Sequence, residues 1–488
     1  MDYIRLPSTL IILLLVFSSD TTWPSCLAVT SAQELLKGFS ATPVSSVSSF
    51  QPILSDQFGN FSLGFLRLNR NQLALAVIHV ASSEPLWSAN PNHLASWSQS
   101  TRLFFNGSLV ISDPETDLLW STATHDGDRV VLLNTSNLQV QKNGDSGSVI
   151  WQSFDFPTNT IVQDQNFTAR MALVSLNGLY SMRMGADFMG LYATYTGGSD
   201  ELYWKRTPLE AKAEIVEGDG PIYARISSDG YLGMYQTSTK PLDVQKFKNF
   251  QRPNPLFLMV RAEPDGNLKG YCWDGSTWVL NYQAIDDICE LPNPCGSYGL
   301  CTPGASECSC LDNRTSYSSP GGCMKEGYGD LCGSGIAEDS YWVLRRRGVE
   351  PAHKELMRYE MANSLEKCEG MCEDDCRCWG ALYYNATGYC YVVEHPIQTM
   401  VGTGVESKVG YFKVRKDARG QRKRVGMVVG IVLGVVVVAA VIGAVSYERR
   451  RRRGGGKGMG EEEDRVTSGP YKNLESASFR SIEMSNSH

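Results

Sequence analysis

The sequence predicts a mostly β chain, exported and held at a membrane by one helix, and three observations carry this. First, residues 425–447, VGMVVGIVLGVVVVAAVIGAVSY, run for 23 residues without a charge. As a helix that stretch covers about 34 Å, enough for a hydrocarbon core of roughly 30 Å. In lipid each backbone amide must be paired inside its own segment, so even a Val- and Gly-rich run is expected to be helical there. Second, residues 29 to about 285 show short alternating apolar runs between turn signals and little helical periodicity. Third, thirteen of the 14 cysteines lie between Cys272 and Cys390, and none follows the apolar span.

The N-terminus sets the orientation. Basic residues flank the span on both sides, Arg415 to Arg424 before it and Arg449 to Arg453 after it, so the charge rule is nearly balanced. TLIILLLVF at 9–17, with Arg5 before it and Ser18 and Ser19 after it, is too short to span and reads as a secretory signal over residues 1–28. Cleavage is expected after Ala28. The long N-terminal part is then extracellular, the topology is single-pass type I at the plasma membrane, and 448–488 is a cytoplasmic tail. Six N-x-S/T sequons, at Asn60, Asn106, Asn134, Asn166, Asn313 and Asn385, all precede the span. Clustered cysteines in an exported region point to disulfides rather than zinc.

Length suggests about three domains. With 42% hydrophobic and 20% charged residues, the chain can bury ordinary cores. Residues 29–424 carry a net charge of −8, which argues against a nucleic-acid or heparin-type partner. The basic collar ahead of the span reads as a flank that meets anionic lipid heads.

The β region repeats a small motif. Asn106-Gly-Ser-Leu, Asp229-Gly-Tyr-Leu and Asp265-Gly-Asn-Leu share Asn/Asp-Gly-x-Leu, and Ser136-Asn137-Leu138 is a looser copy. Asn-Gly and Asp-Gly tolerate the positive φ of a tight hairpin, and the Leu two residues on turns into the core. Several similar hairpins around a common core are expected, not one large sandwich.

These residues also carry a resemblance. Gly59-Asn60-Phe61-Ser62-Leu63-Gly64-Phe65, Leu86-Trp87-Ser88-Ala89-Asn90-Pro91, Leu119-Trp120-Ser121-Thr122 and WQSFDFPTNT at 151–160 occur in that order. The series resembles the bulb-type (G-type, mannose-binding) lectin domain of plant S-locus glycoproteins and lectin receptor-like proteins. The resemblance implies a β-prism over 29–165, three four-stranded sheets about a pseudo-threefold axis. It also implies a second, S-locus-type prism over 166–285.

The family grips sugar with a Q-x-D-x-N-x-V-x-Y strand. At the Asn137 copy those places hold Leu133, Thr135, Asn137, Gln139 and Gln141, so the Asn alone remains; the copy at Asn106 keeps only Val110. The third copy keeps Asp265, Asn267 and Tyr271 but has Glu263 and Lys269 in the Gln and Val places. Asn137, Asp265, Asn267 and Tyr271 are therefore the sugar-binding candidates of a degenerate motif. The expectation is a recognition scaffold with weak or no mannose affinity.

Cys289, Cys295, Cys301, Cys308, Cys310 and Cys323 crowd a segment too poor in apolar residues to build its own core. Six cysteines allow 15 pairings. The pattern over 286–324 resembles an EGF-like module, which implies Cys289–Cys301, Cys295–Cys308 and Cys310–Cys323 and the role of a rigid spacer. After Cys332, Asn363-Ser-Leu-Glu366 reads as a capping box with Asn363 as N-cap, and Cys368 and Cys372 share a helix face. Cys376, Cys378 and Cys390 follow. Residues 332–414 resemble the plant PAN/apple domain. That implies a helix on an antiparallel sheet, with Cys368–Cys390 and Cys372–Cys378 tying helix to strands and Cys332–Cys376 as the remaining pair. Cys272 is left over: a buried thiol by default, or a partner for Cys26, or a link between two chains.

Catalytic chemistry is missing. Gly144-Asp145-Ser146-Gly147 looks like a protease nucleophile loop, but no positioned His and Asp accompany it and it reads as a turn. No H-E-x-x-H, P-loop or EF-hand loop occurs, no cofactor is expected, and Gly-rich 454–460 reads as a linker. The 41 residues after the span are too few for the kinase domain of the resembling receptors and read as disordered, with Tyr471-Lys-Asn-Leu474 as a sorting signal. The expected function is recognition of an extracellular protein, peptide or glycan, with signalling through partners as a homodimer or a heteromer with a receptor kinase. The alternative is a cell-wall carbohydrate tether without signalling.

Overall fold

Short β-strands are the main secondary structure of this chain among the described residues, in a computed structural model that describes residues 31–113, 118–143, 148–195, 200–208, 222–237, 239–248, 257–305, 307–318, 322–324, 331–332, 341–416, 434 and 437–449. The chain divides into two units, Met1–Arg415 and Lys416–His488.

Three antiparallel sheets form first. Phe50–Ser55, Phe61–Arg67, Gln72–His79 and Glu84–Ser88 make one, with Ala95–Ser96 added beside Gln72–His79. Ser40–Ala41, Arg102–Phe105, Leu109–Ser112 and Trp120–Ser121 make the second. Glu34–Leu36, Arg129–Leu132, Leu138–Gln141 and Val149–Gln152 make the third. Leu63, Leu75, Leu103, Leu109, Val130 and Leu138 point from all three into one core. Closing three sheets around one filling hides an apolar face of each, which no single sheet of this size achieves alone.

A second triplet repeats the plan. Thr160–Val162 pairs with Phe257–Ala262, Asn166–Phe167 with Tyr223–Ser227, and Ala172–Val174 with Tyr180–Met184. Each pair is completed by two further strands, and Ile161, Phe167, Leu173, Leu191, Leu232 and Leu268 fill the middle. Thr160–Val162 thus already belongs to the second triplet, ahead of the boundary expected at 165. The reason is that its partner Phe257–Ala262 lies about a hundred residues on, out of reach of a local reading.

The hairpin repeats explain the turns. Gly107, Gly230 and Gly266 take φ of +111°, +83° and +88°. At the looser copy Ser136 takes +69° in the glycine's place. The following Leu109, Leu232, Leu268 and Leu138 are all buried in their cores.

The cysteine-rich part is stitched into the C-terminal part of the ectodomain. Six disulfides join Cys289 to Cys301, Cys295 to Cys308, Cys310 to Cys323, Cys332 to Cys376, Cys368 to Cys390 and Cys372 to Cys378. Gly299–Thr302 pairs with Glu307–Cys310 on one side and with Met400–Gly402 on the other, where Val349–Pro351 closes the sheet. The expected spacer is therefore no separate rod: it shares a sheet, and a core with Leu300, Leu311, Val349 and Met400, with the later segment. A second sheet runs Tyr341–Arg347, Lys408–Arg415, Gly380–Tyr384, Tyr389–Val393 and Glu360–Met361.

The helix Leu365–Glu373 rests on that sheet, with Cys368 and Cys372 buried. Its N-cap is Ser364, whose Oγ accepts from the Lys367 amide at 3.2 Å, and not Asn363 as the capping-box reading has it. Both side chains are able caps; the disulfides of Cys368 and Cys372 fix which face turns inward and so where the first turn starts. At the other end the buried Lys413 ammonium donates to the Cys372 and Asp375 carbonyls at 2.7 and 3.2 Å, meeting carbonyls that a helix end leaves unpaired.

Of the span expected at 425–447, Gly434 and 437–447 are described; all are helical, and the helix continues to 449. Among the described residues no helix is long and apolar enough to cross a membrane. The signal at 1–28 with Cys26, the loop 144–147, the linker 454–460 and Tyr471 and Leu474 lie outside the described residues.

Candidate ligand-binding site

The three Trp-containing segments of the first triplet meet. Trp87 belongs to a strand of one sheet, Trp120 to the second and Trp151 to the third. Their ring centroids form a near-equilateral triangle with sides of 5.8, 5.9 and 5.7 Å, every pair edge to face. That geometry sets the positive edge of one ring against the negative face of the next. Trp87 Nε1 donates to the Phe156 carbonyl at 2.8 Å, and Phe156 stacks on Trp151 at 5.7 Å. Above the triangle lies a cleft of about 360 Å³, walled by Pro91, Thr122, Phe156 and Pro157. Phe156 is 56% exposed, a large apolar ring left in water at the cleft edge.

The sugar-binding candidates sit elsewhere, and their polar atoms are turned on their neighbours. Asn137 Nδ2 donates to Gln152 Oε1 at 2.9 Å, while its Oδ1 accepts from Ser153 Oγ at 3.3 Å. Gln141 Nε2 donates to Gln139 Oε1 at 2.8 Å, and Arg129 Nε donates to Gln141 Oε1 at 3.1 Å. A row of side-chain amides thus satisfies itself across the sheet. Val110, the retained place of the Asn106 copy, is buried.

The third copy is closed in the same way. Asn267 Nδ2 donates to the Ile285 carbonyl at 2.7 Å, and its Oδ1 accepts the Ile285 amide at 3.1 Å. Lys269 Nζ lies 2.5 Å from Asp265 Oδ2. Tyr271 donates to Glu263 Oε1 at 2.6 Å; burial first, and then the neighbouring Glu263 carboxylate, push its phenol upward. The two residues that replace the family's Gln and Val therefore occupy the very groups a sugar would need. Sequence reasoning pointed to these polar hairpins and missed the Trp cleft. The signal was present in the three Leu-Trp and Trp-Gln stretches, but nothing local says that three indoles from three sheets converge.

Each of Asn60, Asn106, Asn134, Asn166, Asn313 and Asn385 is exposed. Cys272 is a buried free thiol, and burial raises it above its ordinary range. Among the described residues no His, Cys, Asp and Glu group is arranged to hold a metal ion.

Comparison with known proteins adds identity to this geometry. Residues 76–183 match the D-mannose binding lectin family. A PAN domain-containing protein of Arabidopsis thaliana is 52% identical over 98% of this chain and 97% of its own length. A G-type lectin S-receptor-like serine/threonine-protein kinase of the same plant is 24% identical over 84% of this chain, which spans about half (50%) of the kinase. EP1-like glycoprotein 3, also of Arabidopsis thaliana, is 25% identical over 72% of this chain and 85% of its own length.

Proposed function

Because the chain belongs to the plant bulb-type (G-type) lectin receptor-like family with a PAN domain, we propose that it is a cell-surface recognition protein that binds an extracellular ligand and acts through partner proteins. In this reading residues 286–324 are the EGF-like segment and 332–414 the PAN domain. Residues 425–447 anchor the chain in the plasma membrane with the N-terminus outside. The six exposed sequons and the disulfides support an extracellular placement. The similarity to a G-type lectin S-receptor-like serine/threonine-protein kinase supports output through a kinase.

The observation that carries the ligand class is the cleft over Trp87, Trp120 and Trp151. Its walls are aromatic and prolyl, with few polar groups, which suits the apolar face of a sugar ring or a proline-rich peptide. The polar hairpins at Asn137 and Asn267 offer no free donor set, so the ligand is not held as mannose is in the family's own motif. The test is binding of the full-length, detergent-solubilised protein to immobilised plant glycans and proline-rich peptides. Phe156→Ala is expected to lower affinity about tenfold, the weight of a well-seated aromatic contact. Unchanged binding by Phe156→Ala, or loss by Asn137→Ala alone, overturns the cleft assignment. Co-purification of a kinase supports the receptor role, whereas retention on wall polysaccharide without one supports the tether.

A further inference from the structure

A hollow of about 560 Å³ lies between the loop after Glu307–Cys310 and the strand Tyr341–Arg347. Leu311 and Leu344 line its floor, both buried, and Trp342 leaves 38% of its surface exposed at one side. Arg314 and Arg346 stand at the rim. Asn313, the acceptor of the Asn313-Arg314-Thr315 sequon, is part of the same lining. The other five sequon asparagines line neither this hollow nor the Trp cleft.

The polar groups around it are set unequally. Arg346 Nη1 donates to Asn313 Oδ1, which leaves Nδ2, the nitrogen that carries a glycan, without a partner among the described residues. Arg345 is neutralised by a bidentate pair with Glu369 at 2.8 Å to both oxygens. Of the three arginines lining the hollow, Arg345 is thus spent on Glu369, and the Asp312 carboxylate lines it beside Arg314 and Arg346, a balance of charge that does not favour an anionic ligand. What remains is an apolar pair of leucines, the Trp342 indole, two guanidinium groups able to donate and one carboxylate, Asp312, able to accept, beside a sugar attachment point. Aromatic surface with a few placed donors is how proteins hold carbohydrate.

We propose that this hollow holds the chain's own Asn313-linked glycan, its first N-acetylglucosamine residues lying against Trp342 with Arg314 and Arg346 donating to their oxygens. The attachment is the ordinary export reaction: Nδ2 bonds the anomeric carbon as that carbon's C–O bond to the lipid diphosphate carrier breaks, and the amide proton leaves with the released diphosphate. The seated glycan ties the cysteine-rich loop to the neighbouring sheet, a bridge of sugar between two segments joined otherwise by strand pairing and shared core. This rests on the extracellular placement proposed for the chain.

The test uses the full chain expressed in plant cells. Site-resolved glycopeptide mass spectrometry reports occupancy at all six sequons. Native protein is then treated with a peptide-N-glycosidase that accepts plant glycans. Asn313 is expected to be occupied and to release its glycan at least tenfold more slowly than the other sites. Trp342→Ala, and independently Arg346→Ala, should bring its release to the common rate. Asn313→Gln should raise hydroxyl-radical labelling of Trp342. An empty Asn313 beside five occupied sites overturns the proposal and leaves the extracellular reading standing. Release from Asn313 as fast as elsewhere also overturns it. Six empty sites overturn the extracellular reading itself.

Discussion

Glu201 and His395 meet side chain to side chain, with Oε2 and Nε2 2.5 Å apart. Glu201 lies on the strand Asp200–Arg206 of the second triplet, and His395 just after Tyr389–Val393 of the helix-bearing sheet. His353 brings its own Nε2 to 3.8 Å from the other oxygen, and Tyr195 stacks on His395 at 3.9 Å. His395 Nδ1 faces the Pro396 carbonyl at 3.1 Å. One carboxylate held by two imidazoles thus couples parts of the fold that are far apart in sequence.

Acid should loosen that coupling. Burial works to raise the Glu201 carboxyl, but the neighbouring His353 and His395 imidazoles outweigh it and hold the group well below its ordinary 4.5. A carboxyl depressed in the folded state contributes stability that is complete above its unfolded value and lost as pH falls from about 4.5. Melting temperature followed from pH 7 to pH 3 should fall more steeply in the native protein than in Glu201→Gln, which starts lower at neutral pH. Parallel curves would show that the pair contributes nothing.

His79 should give the chain a second acid response at higher pH. It packs among Phe61, Phe257, Trp273 and Trp278, where the two triplets meet, and burial lowers its affinity for a proton. A depressed histidine contributes stability present above its unfolded value of about 6.5 and lost as pH drops below it. His79→Phe should flatten the stability curve between pH 6.5 and 5 in urea unfolding.

The bond between Cys368 and Cys390 closes a loop of sequence separation 22. In the chain-entropy model a loop of that size stabilises by about 3 kcal/mol. Replacing both residues by Ala should lower the unfolding free energy by about that amount in guanidinium titrations, with the helix Leu365–Glu373 losing amide protection first.

Ser136 and Gly266 should respond in opposite directions to exchange. Ser136 holds φ +69°, a region that costs a residue with a Cβ about 1–2 kcal/mol, so Ser136→Gly should stabilise by about 1 kcal/mol. Gly266 holds φ +88°, and a Cβ there would meet Pro292 Cγ at 2.8 Å. Gly266→Ala should therefore destabilise by more than Ser136→Gly stabilises, as read in paired thermal melts.

Local signals were legible because their physics is local. The short run at Phe61–Arg67 and the Asn/Asp-Gly-x-Leu turns act within a few residues, and a strand and tight turns form there, although Phe61 to Phe65 are buried on both faces rather than in alternation. The N-cap was read one residue early, because Asn363 and Ser364 are equally able caps until the helix is seated. The candidate site was hardest to read. Asn137, Asp265, Asn267 and Tyr271 are visible as a motif, but whether their polar atoms are free depends on Gln152 and Ile285 from other segments and on how Lys269 and Glu263 fold back within the same hairpin.

The sequence by itself determined the β texture, the turn positions and the crowding of cysteines, since each follows from neighbours along the chain. The tertiary structure alone decided that Trp87, Trp120 and Trp151 converge, that the cysteine-rich segment shares a sheet with Met400–Gly402, and that Glu201 meets His395. The reason is the same in each case. A contact between distant residues forms only when the whole core pulls its strands together, and no single stretch encodes that collapse.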